Sequence, residues 1–283
     1  MHEDSGTTTS WTVPGSAGTA VRFTPDCRWL VIGTKRGEVN CWDLSASSRN
    51  EPRVRRKLGS SSVLSLEISP DGRWLAACVA EKEDSTSGEA TFLSEISKED
   101  PLHNVTRLPS GVAARAERIA FSHDGKWLVA ADWESGACLW HLYPDKRPSS
   151  PINLPTAGVC AVAFNASNTA LATGGFDGIT RVWPLTSKVQ PVAPRVLVAH
   201  DGPINVIRFS ANERWLATGN EHPHASGVVR VWEVGGRDAL TRRGDTGCRL
   251  HQRQRRSDLL IGRATIGLPS RNRRNSSPRS CAD

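Results

Sequence analysis

Apolar and polar residues alternate along most of the chain in a pattern that recurs five times. Each unit opens with a short alternating segment, followed by a Ser-Pro-Asp-Gly type of turn and a mostly apolar segment such as Trp215–Gly219. Alternation with a period of two predicts strands, and the turn residues predict tight connections between them. The large apolar residues that end the first segments are Phe23, Ile68, Phe121, Phe164 and Phe209. The pattern predicts an all-β protein.

Tryptophan recurs at one phase of this repeat. The chain has ten Trp against six Phe and one Tyr, and the third strand of four units ends in Trp. In the second unit, Phe92 and Leu93 stand near that position instead. Because the phase is the same in each unit, we interpret these residues as packing positions and not as stacking platforms for a base or ligand. They are Trp42, Trp140, Trp183 and Trp232.

The repeat carries a family resemblance. Segments such as IRFSANERWLATGN (207–220) and VRVWEV (229–234) resemble the WD-repeat family, in particular its bacterial members with Trp before Leu-Ala. The five closing residues are 45, 53, 43 and 45 positions apart, close to the ~40–45 residues of one blade in that family. The resemblance covers residues 7–234 and implies a β-propeller of four-stranded antiparallel blades around a central channel, with five recognisable blades here.

The same family implies a hydrogen-bonded network within a blade. It joins a His before the first strand, a hydroxyl on the second strand, an Asp in the next turn and the Trp of the third strand. The fourth and fifth units each carry only part of this set, so we expect the blades to be held mainly by packing. The matching residues are Thr173, Asp177 and Trp183 in the fourth unit and His200, Thr218 and Trp232 in the fifth.

Fourth strands are predicted just before each turn into the next unit, at residues 53–58, 104–108, 151–154 and 195–198. Residues 7–14 resemble a further fourth strand, which would pair with the last blade as is known in this family. Five blades are fewer than the seven that the family usually has. Three arrangements stay open: a truncated fragment of a larger propeller, a closed five-bladed ring, or a propeller completed by a partner chain.

The charge of the chain is concentrated at its C-terminus. The formal net charge is +7, yet residues 235–283 alone contain twelve Arg, no Lys and four Asp. Low hydrophobicity with many like charges predicts a disordered tail, and residues 1–6 are also expected to be disordered. Such a basic tail can contact nucleic acid through phosphates. Its sequence, which is rich in Arg and contains no Lys, is equally typical of a gene read out of frame after Val234.

Candidate chemistry is sparse. The seven Cys show no metal spacing and are interpreted as small apolar fillers. His222 and His224 flank Pro223 next to Glu221, but no fourth ligand is near, so we interpret them as a loop insertion and not a zinc site. We therefore assign no catalytic, cofactor or metal residue and expect no enzymatic activity. A propeller enzyme or metal-binding protein is the competing class.

The expected function is a non-catalytic protein-interaction scaffold. Rigid repeats present loops on two faces, which suit protein or peptide partners. No apolar run reaches the ~20 residues of a membrane-spanning helix, and no secretory signal is visible at the N-terminus. We therefore expect a cytoplasmic protein that does not associate with membranes and that contacts nucleic acid only through residues 235–283.

Overall fold

The structure is a computed structural model of the chain. All the residues that it describes lie within one compact unit, residues 1–248, and all their regular elements are β-strands. The described ranges are 12–46, 51–80, 90–109, 116–134, 136–143, 148–156, 158–186, 193–198, 200–220 and 227–235.

The described residues form nineteen strands in five antiparallel sheets, each built from consecutive strands. We call these sheets blades 1 to 5; blades 1–4 have four strands and blade 5 has three among the described residues. The strands are β1 (Gly18–Phe23), β2 (Trp29–Thr34), β3 (Glu38–Asp43), β4 (Val54–Lys57), β5 (Val63–Ile68), β6 (Trp74–Val79), β7 (Ala90–Glu95), β8 (His103–Arg107), β9 (Arg118–Phe121), β10 (Trp127–Asp132), β11 (Gly136–His141), β12 (Ile152–Leu154), β13 (Val159–Phe164), β14 (Ala170–Gly175), β15 (Ile179–Pro184), β16 (Arg195–Val198), β17 (Ile204–Phe209), β18 (Trp215–Asn220) and β19 (Val229–Glu233).

The predicted all-β class and the division into five units are confirmed. The four predicted fourth strands correspond to β4, β8, β12 and β16, displaced by at most one residue at their ends. Residues 12–14, the described part of the predicted N-terminal strand 7–14, do not form a strand. Residues 7–11 lie outside the described residues, as do residues 1–6 and 236–283, so the prediction for these segments is untested.

The turn between the first and second strands has the same construction in all five blades. A hydroxyl or amide oxygen at its first position accepts a hydrogen bond from the backbone N–H that opens the second strand. Its fourth position has a positive φ in every blade, where glycine is favoured. The residues at the fourth position are Cys27, Gly72, Gly125, Asn168 and Glu213.

Replacing Cys27 with glycine is expected to stabilise the protein. Cys27 is exposed and holds a φ of 57°, a left-handed conformation that costs an L-residue about 1–2 kcal/mol. Relief of this cost exceeds the added entropy of an unfolded glycine, giving a net gain of about 0.5–1 kcal/mol. Urea denaturation of Cys27→Gly measures it. Gly72→Ala, at the same turn position in blade 2, should lose about 1 kcal/mol.

Consecutive blades pack face to face through four apolar clusters, one at each junction. Because successive residues of a strand point to opposite faces, each blade has two contact faces. We call the face toward the following blade the forward face and the face toward the preceding blade the backward face. At the last junction, the forward-face residues Ala172 and Val182 of blade 4 meet Ile207, Leu216 and Trp232 of blade 5.

The four repeat tryptophans share one register on the backward faces. Each lies opposite the leucine that follows the first residue of the second strand, as Leu171 lies opposite Trp183. All four are buried. In blade 2 the residue at this register is Ser94, opposite Leu75. Phe92 and Leu93 therefore do not take the tryptophan position: Leu93 points to the forward face, and Ser94 instead donates to the His103 carbonyl at 2.8 Å.

Asp43, directly after Trp42, is a buried carboxylate that titrates at low pH. Hydrogen bonds from Ser45 hold the pKa of Asp43 at about 2, and Arg53 and Arg28 lie 2.7 and 3.4 Å from its Oδ2. The ionised form is thus favoured in the folded state.

Asp43 should consequently make stability depend on acid pH. Its folded pKa is below the unfolded value of 3.8, so the stabilisation is complete above that value and is lost as the pH falls through about 2. A shift of this size corresponds to about 2 kcal/mol. The difference in unfolding free energy between wild type and Asp43→Asn should shrink over this interval in urea titrations. A difference that stays constant with pH would contradict the assignment.

Candidate protein-interaction site

The residues that sequence reasoning assigned to the blade network lie in two separate groups. In blade 4, Trp183 Nε1 donates to Thr173 Oγ1 at 3.0 Å. Asp177 does not join this pair: its carboxylate accepts from the Ile179 N–H at 3.0 Å and pairs with Arg181 at 2.8 Å. Asp177 therefore stabilises the turn in which it lies. Blade 4 has no histidine at the position that would link Asp177 to Thr173.

In blade 5 three of the assigned residues meet. Thr218 Oγ1 lies 2.8 Å from His200 Nε2 and accepts from Trp232 Nε1 at 2.9 Å. Burial lowers the pKa of His200, which favours the neutral ring in the folded state. In blades 1 and 3 the second strand has no hydroxyl at this position. Trp42 Nε1 has no hydrogen-bond partner in the described part of the chain, and Trp140 Nε1 donates to the Pro109 carbonyl. These residues are buried blade supports and offer no surface to a ligand.

The innermost strands of all five blades line a central channel. The channel contains a cavity of 510 Å³, and three arginines and two glutamates reach it. Arg22 pairs with Glu67 at 2.8 Å, while Arg118 Nε donates to the Cys160 carbonyl at 3.2 Å. Arg208 donates to the Ile207 carbonyl at 2.8 Å. Arg22 also donates to the Val21 carbonyl at 2.8 Å, so all three arginines satisfy backbone carbonyls. With three arginines against two glutamates, the lining has a formal charge of +1 and is weakly basic.

A second cavity of 520 Å³ adjoins the channel and shares with it Glu117, Arg118, Cys160 and Asn205. Two solvent-exposed aromatic side chains line it. Trp133 is 45% exposed and Phe176 is 56% exposed, and their ring centroids lie 6.5 Å apart. We call Trp133 and Phe176, with the cavity beside them, the aromatic patch.

The blades position the two rings through their backbone. Trp133 directly follows β10 and Phe176 directly follows β14, so each occupies the turn between the second and third strands of its blade. The Phe176 N–H donates to the Gly158 carbonyl at 3.0 Å. Gly158 has a φ of +36°, and a Cβ there would collide with the carbonyl of Trp133. Glycine is therefore required for the chain to pass between the two turns and hold the rings together.

The aromatic patch was not predicted from the sequence, because the tryptophans were assigned to the core according to their position in the repeat. Trp133 lies in a turn, whereas the other described tryptophans lie in second or third strands. That difference in phase was visible in the sequence and is the signal that marks Trp133. Phe176 gave a weaker signal, since its turn also contains the Asp-Gly pair of an ordinary tight connection.

The patch has little potential for covalent or metal chemistry. Burial raises the pKa of the Cys160 thiol, so the thiol stays protonated and is a poor nucleophile. Among the described residues no group of three His, Cys, Asp or Glu side chains could hold a metal ion. His222, His224 and Glu221 lie outside that part of the chain. The described residues include no helix that could cross a membrane.

Comparison with known proteins agrees with the repeat. The family model described as "WD domain, G-beta repeat" matches residues 53–86, 114–141, 150–184 and 193–233. A guanine nucleotide-binding protein subunit beta of Nicotiana tabacum is 24% identical over 75% of this chain and 55% of its own length. The LST8 homolog of Drosophila melanogaster is 27% identical over 74% of the chain and 61% of its own length. The chain thus spans a little over half the length of these relatives.

A solved structure supports the propeller arrangement. The β-propeller domain of Cps50 (Swd1) from Myceliophteria thermophila superimposes with a TM-score of 0.56 and 18% identity, covering 83% of this chain and 70% of that domain. Five sheets packed face to face around a channel, the matched repeats and this likeness agree. The chain is a β-propeller protein that belongs to the WD-repeat family.

Proposed function

We propose that the chain is a non-catalytic protein-interaction scaffold whose partner docks on the aromatic patch. The observation that carries this proposal is the exposure of Trp133 and Phe176 side by side at the edge of the channel. Large aromatic rings are enriched at the centres of protein interfaces, where a few residues supply most of the binding energy. Loops on a rigid scaffold are also frequent binding elements.

The surroundings of the patch favour an extended peptide segment as the ligand. The adjoining cavity offers an apolar wall from Val159 and Pro203 and charged or polar groups from Glu117, Arg118 and Asn205. An aliphatic or aromatic side chain of the peptide would lie against the two rings, while its backbone would bond the polar groups. The weakly basic channel wall beyond would favour acidic residues next to that anchor.

Family membership supports the same class of function. WD-repeat propellers are typically interaction scaffolds, and the tobacco relative is by name a subunit of a larger assembly. The competing hypotheses have no comparable observation. The residues of the hypothetical zinc site and of the basic tail lie outside the described residues, so metal binding and nucleic-acid contact by residues 235–283 rest on sequence alone.

Peptides selected on the wild-type protein should lose affinity when the patch is removed. The probe is a phage-displayed library of short linear peptides, panned on the full chain and measured by isothermal titration. Trp133→Ala should weaken the selected peptides by about 2–4 kcal/mol, or roughly 30- to 1,000-fold, as for a hot-spot residue. Phe176→Ala should act in the same direction.

The matched control is Val198→Ala, which truncates another exposed apolar side chain on β16, on the outer edge of blade 4. It should leave the affinity of the peptides unchanged. Equal binding to wild type and to the Trp133→Ala, Phe176→Ala double variant would show that the patch is not the docking site.

A further inference from the structure

We propose that copies of this chain associate head to tail, with β1 of one copy packed on the forward face of blade 5 of another. The proposal does not depend on the aromatic patch, which lies on blades 3 and 4. It rests on the junctions that the chain makes between its own blades and on two exposed surfaces, on blade 5 and on β1, whose counterparts at those junctions are buried.

The internal junctions show how one blade receives the next. The innermost strand of each blade packs on the first two strands of the preceding blade. Where the second strand of the preceding blade carries glycine, the following blade fills the space. A Cβ on Gly33 would lie 2.6 Å from Val63 Cγ1, and a Cβ on Gly174 would lie 2.6 Å from Ile204 Cγ2 and 2.9 Å from Ile207 Cδ1.

Blade 5 carries the receiving half without an occupant. Gly219 has the same register as Gly33 and Gly174. Around a Cβ on Gly219, however, the nearest atoms belong to Val206 and Val229 of its own blade, at 3.8 and 3.9 Å. The glycine socket is therefore present, and within the described part of the chain no side chain from outside blade 5 lies near it.

The valines around this socket are exposed for the same reason. Val229 is 73% exposed and Val231 is 63% exposed. The eight residues at these two registers in blades 1–4 are all buried, with at most 5% exposure; they are Val39, Cys41, Thr91, Leu93, Ala137, Leu139, Thr180 and Val182. Together with Val206, Val229 and Val231 form an exposed apolar surface on one face of blade 5. Such a surface is typical of an interaction site.

The innermost strand of blade 1 carries the inserting half, whereas Leu30 and Trp42 on the same face are buried. Phe23 is 57% exposed and Val21 is 51% exposed, both on the backward face of the innermost strand. The residues at the Phe23 register in blades 2–4 are buried at 7–8% exposure.

At the Val21 register, Leu66 Cδ1 and Ile207 Cδ1 lie 3.2 and 2.9 Å from a Cβ on Gly33 and Gly174, beside the closer Val63 and Ile204. In blade 1 the register of Val63 and Ile204 is held by Gly18. Because Gly18 has no side chain, Val21 is the side chain of β1 that would enter the Gly219 socket.

A second copy of the chain fits this pair of surfaces because each copy supplies both halves. The forward face of blade 5 has small residues, Gly219 and Ala217, where the forward face of blade 4 has Gly174 and Ala172. The contact would continue an interface that the fold already makes four times. Such a contact joins two different patches, so it is heterologous and leaves one receiving half and one inserting half free on every dimer.

Sedimentation equilibrium on the full chain tests the proposal. The average mass should rise above the 30.7 kDa of one chain as the concentration increases. Val231→Asp should break the receiving half and Val21→Asp the inserting half, so that each variant alone remains at the mass of one chain. Gly219→Leu fills the socket and should weaken association at least 10-fold. Val198→Asp, on β16, and Trp133→Ala should associate as wild type does.

Mixing the two broken variants provides the decisive measurement. Val231→Asp retains β1 and Val21→Asp retains the socket, so one intact junction forms between them and the mixture should give dimers but no larger species. That recovery also shows that both variants fold. A wild-type mass of 30.7 kDa at all concentrations would overturn the proposal, as would association that Val21→Asp leaves unchanged, which would mean that blade 5 packs on blade 5.

Discussion

Replacing Trp183 with alanine is expected to lower the free energy of unfolding by about 3–5 kcal/mol. Trp183 is buried at the junction between blades 3 and 4, where it packs with Trp127 and Leu139. Its removal leaves a large cavity between two sheets that cannot collapse without disturbing both. It also leaves Thr173 Oγ1 without the indole N–H that it accepts. Urea denaturation monitored by circular dichroism measures the loss.

Two variants separate packing from hydrogen bonding at this position. Thr173→Val keeps the ring but removes its acceptor, which should cost about 1–2 kcal/mol for the buried N–H left unpaired. Trp133→Ala removes a tryptophan that is half exposed and should change stability by no more than about 0.5 kcal/mol. If Trp183→Ala and Trp133→Ala destabilised the protein equally, the assignment of one to the core and the other to a binding surface would be wrong.

The sequence predicted the strands well because their signal is local and repeated. Alternation and turn chemistry recur in phase, so each unit supports the interpretation of the others, and even the faint strand β16 was placed at residues 195–198. The tryptophan position of blade 2 was harder to place. There the repeat lacks its marker, and only the pairing of Leu75 with Ser94 reveals the register.

The surfaces of the protein were less predictable than its strands. The aromatic patch brings together Trp133 and Phe176 from two blades, and 43 positions of sequence separate them. Their proximity depends on how blade 3 packs on blade 4 and on the path of Gly158 between the two turns, neither of which periodicity encodes. The exposure of the forward face of blade 5 could not be predicted from the sequence either, because Val229 and Val231 alternate like the buried residues of the other blades.

The last prediction compares the same substitution at two glycines of equal register. Gly174→Leu is expected to destabilise the protein by at least about 3 kcal/mol, the upper range for overpacking a well-packed core. Even the first added carbon would lie 2.6 Å from Ile204 Cγ2 and 2.8 Å from Ile204 Cβ, so blades 4 and 5 would have to separate. Gly174→Ala should give a smaller loss of about 1–3 kcal/mol.

Gly219→Leu should leave the stability of the single chain within about 0.5 kcal/mol of wild type, because among the described residues only atoms of its own blade lie near it, at 3.8 Å or more. Thermal unfolding at the lowest measurable concentration compares the two variants without a contribution from association. Both variants replace Gly with Leu at the same strand position, so the effect on backbone propensity is the same. The difference between their stabilities therefore reports whether a following blade packs on the glycine. Equal destabilisation by the two leucines would mean that the forward face of blade 5 is already covered.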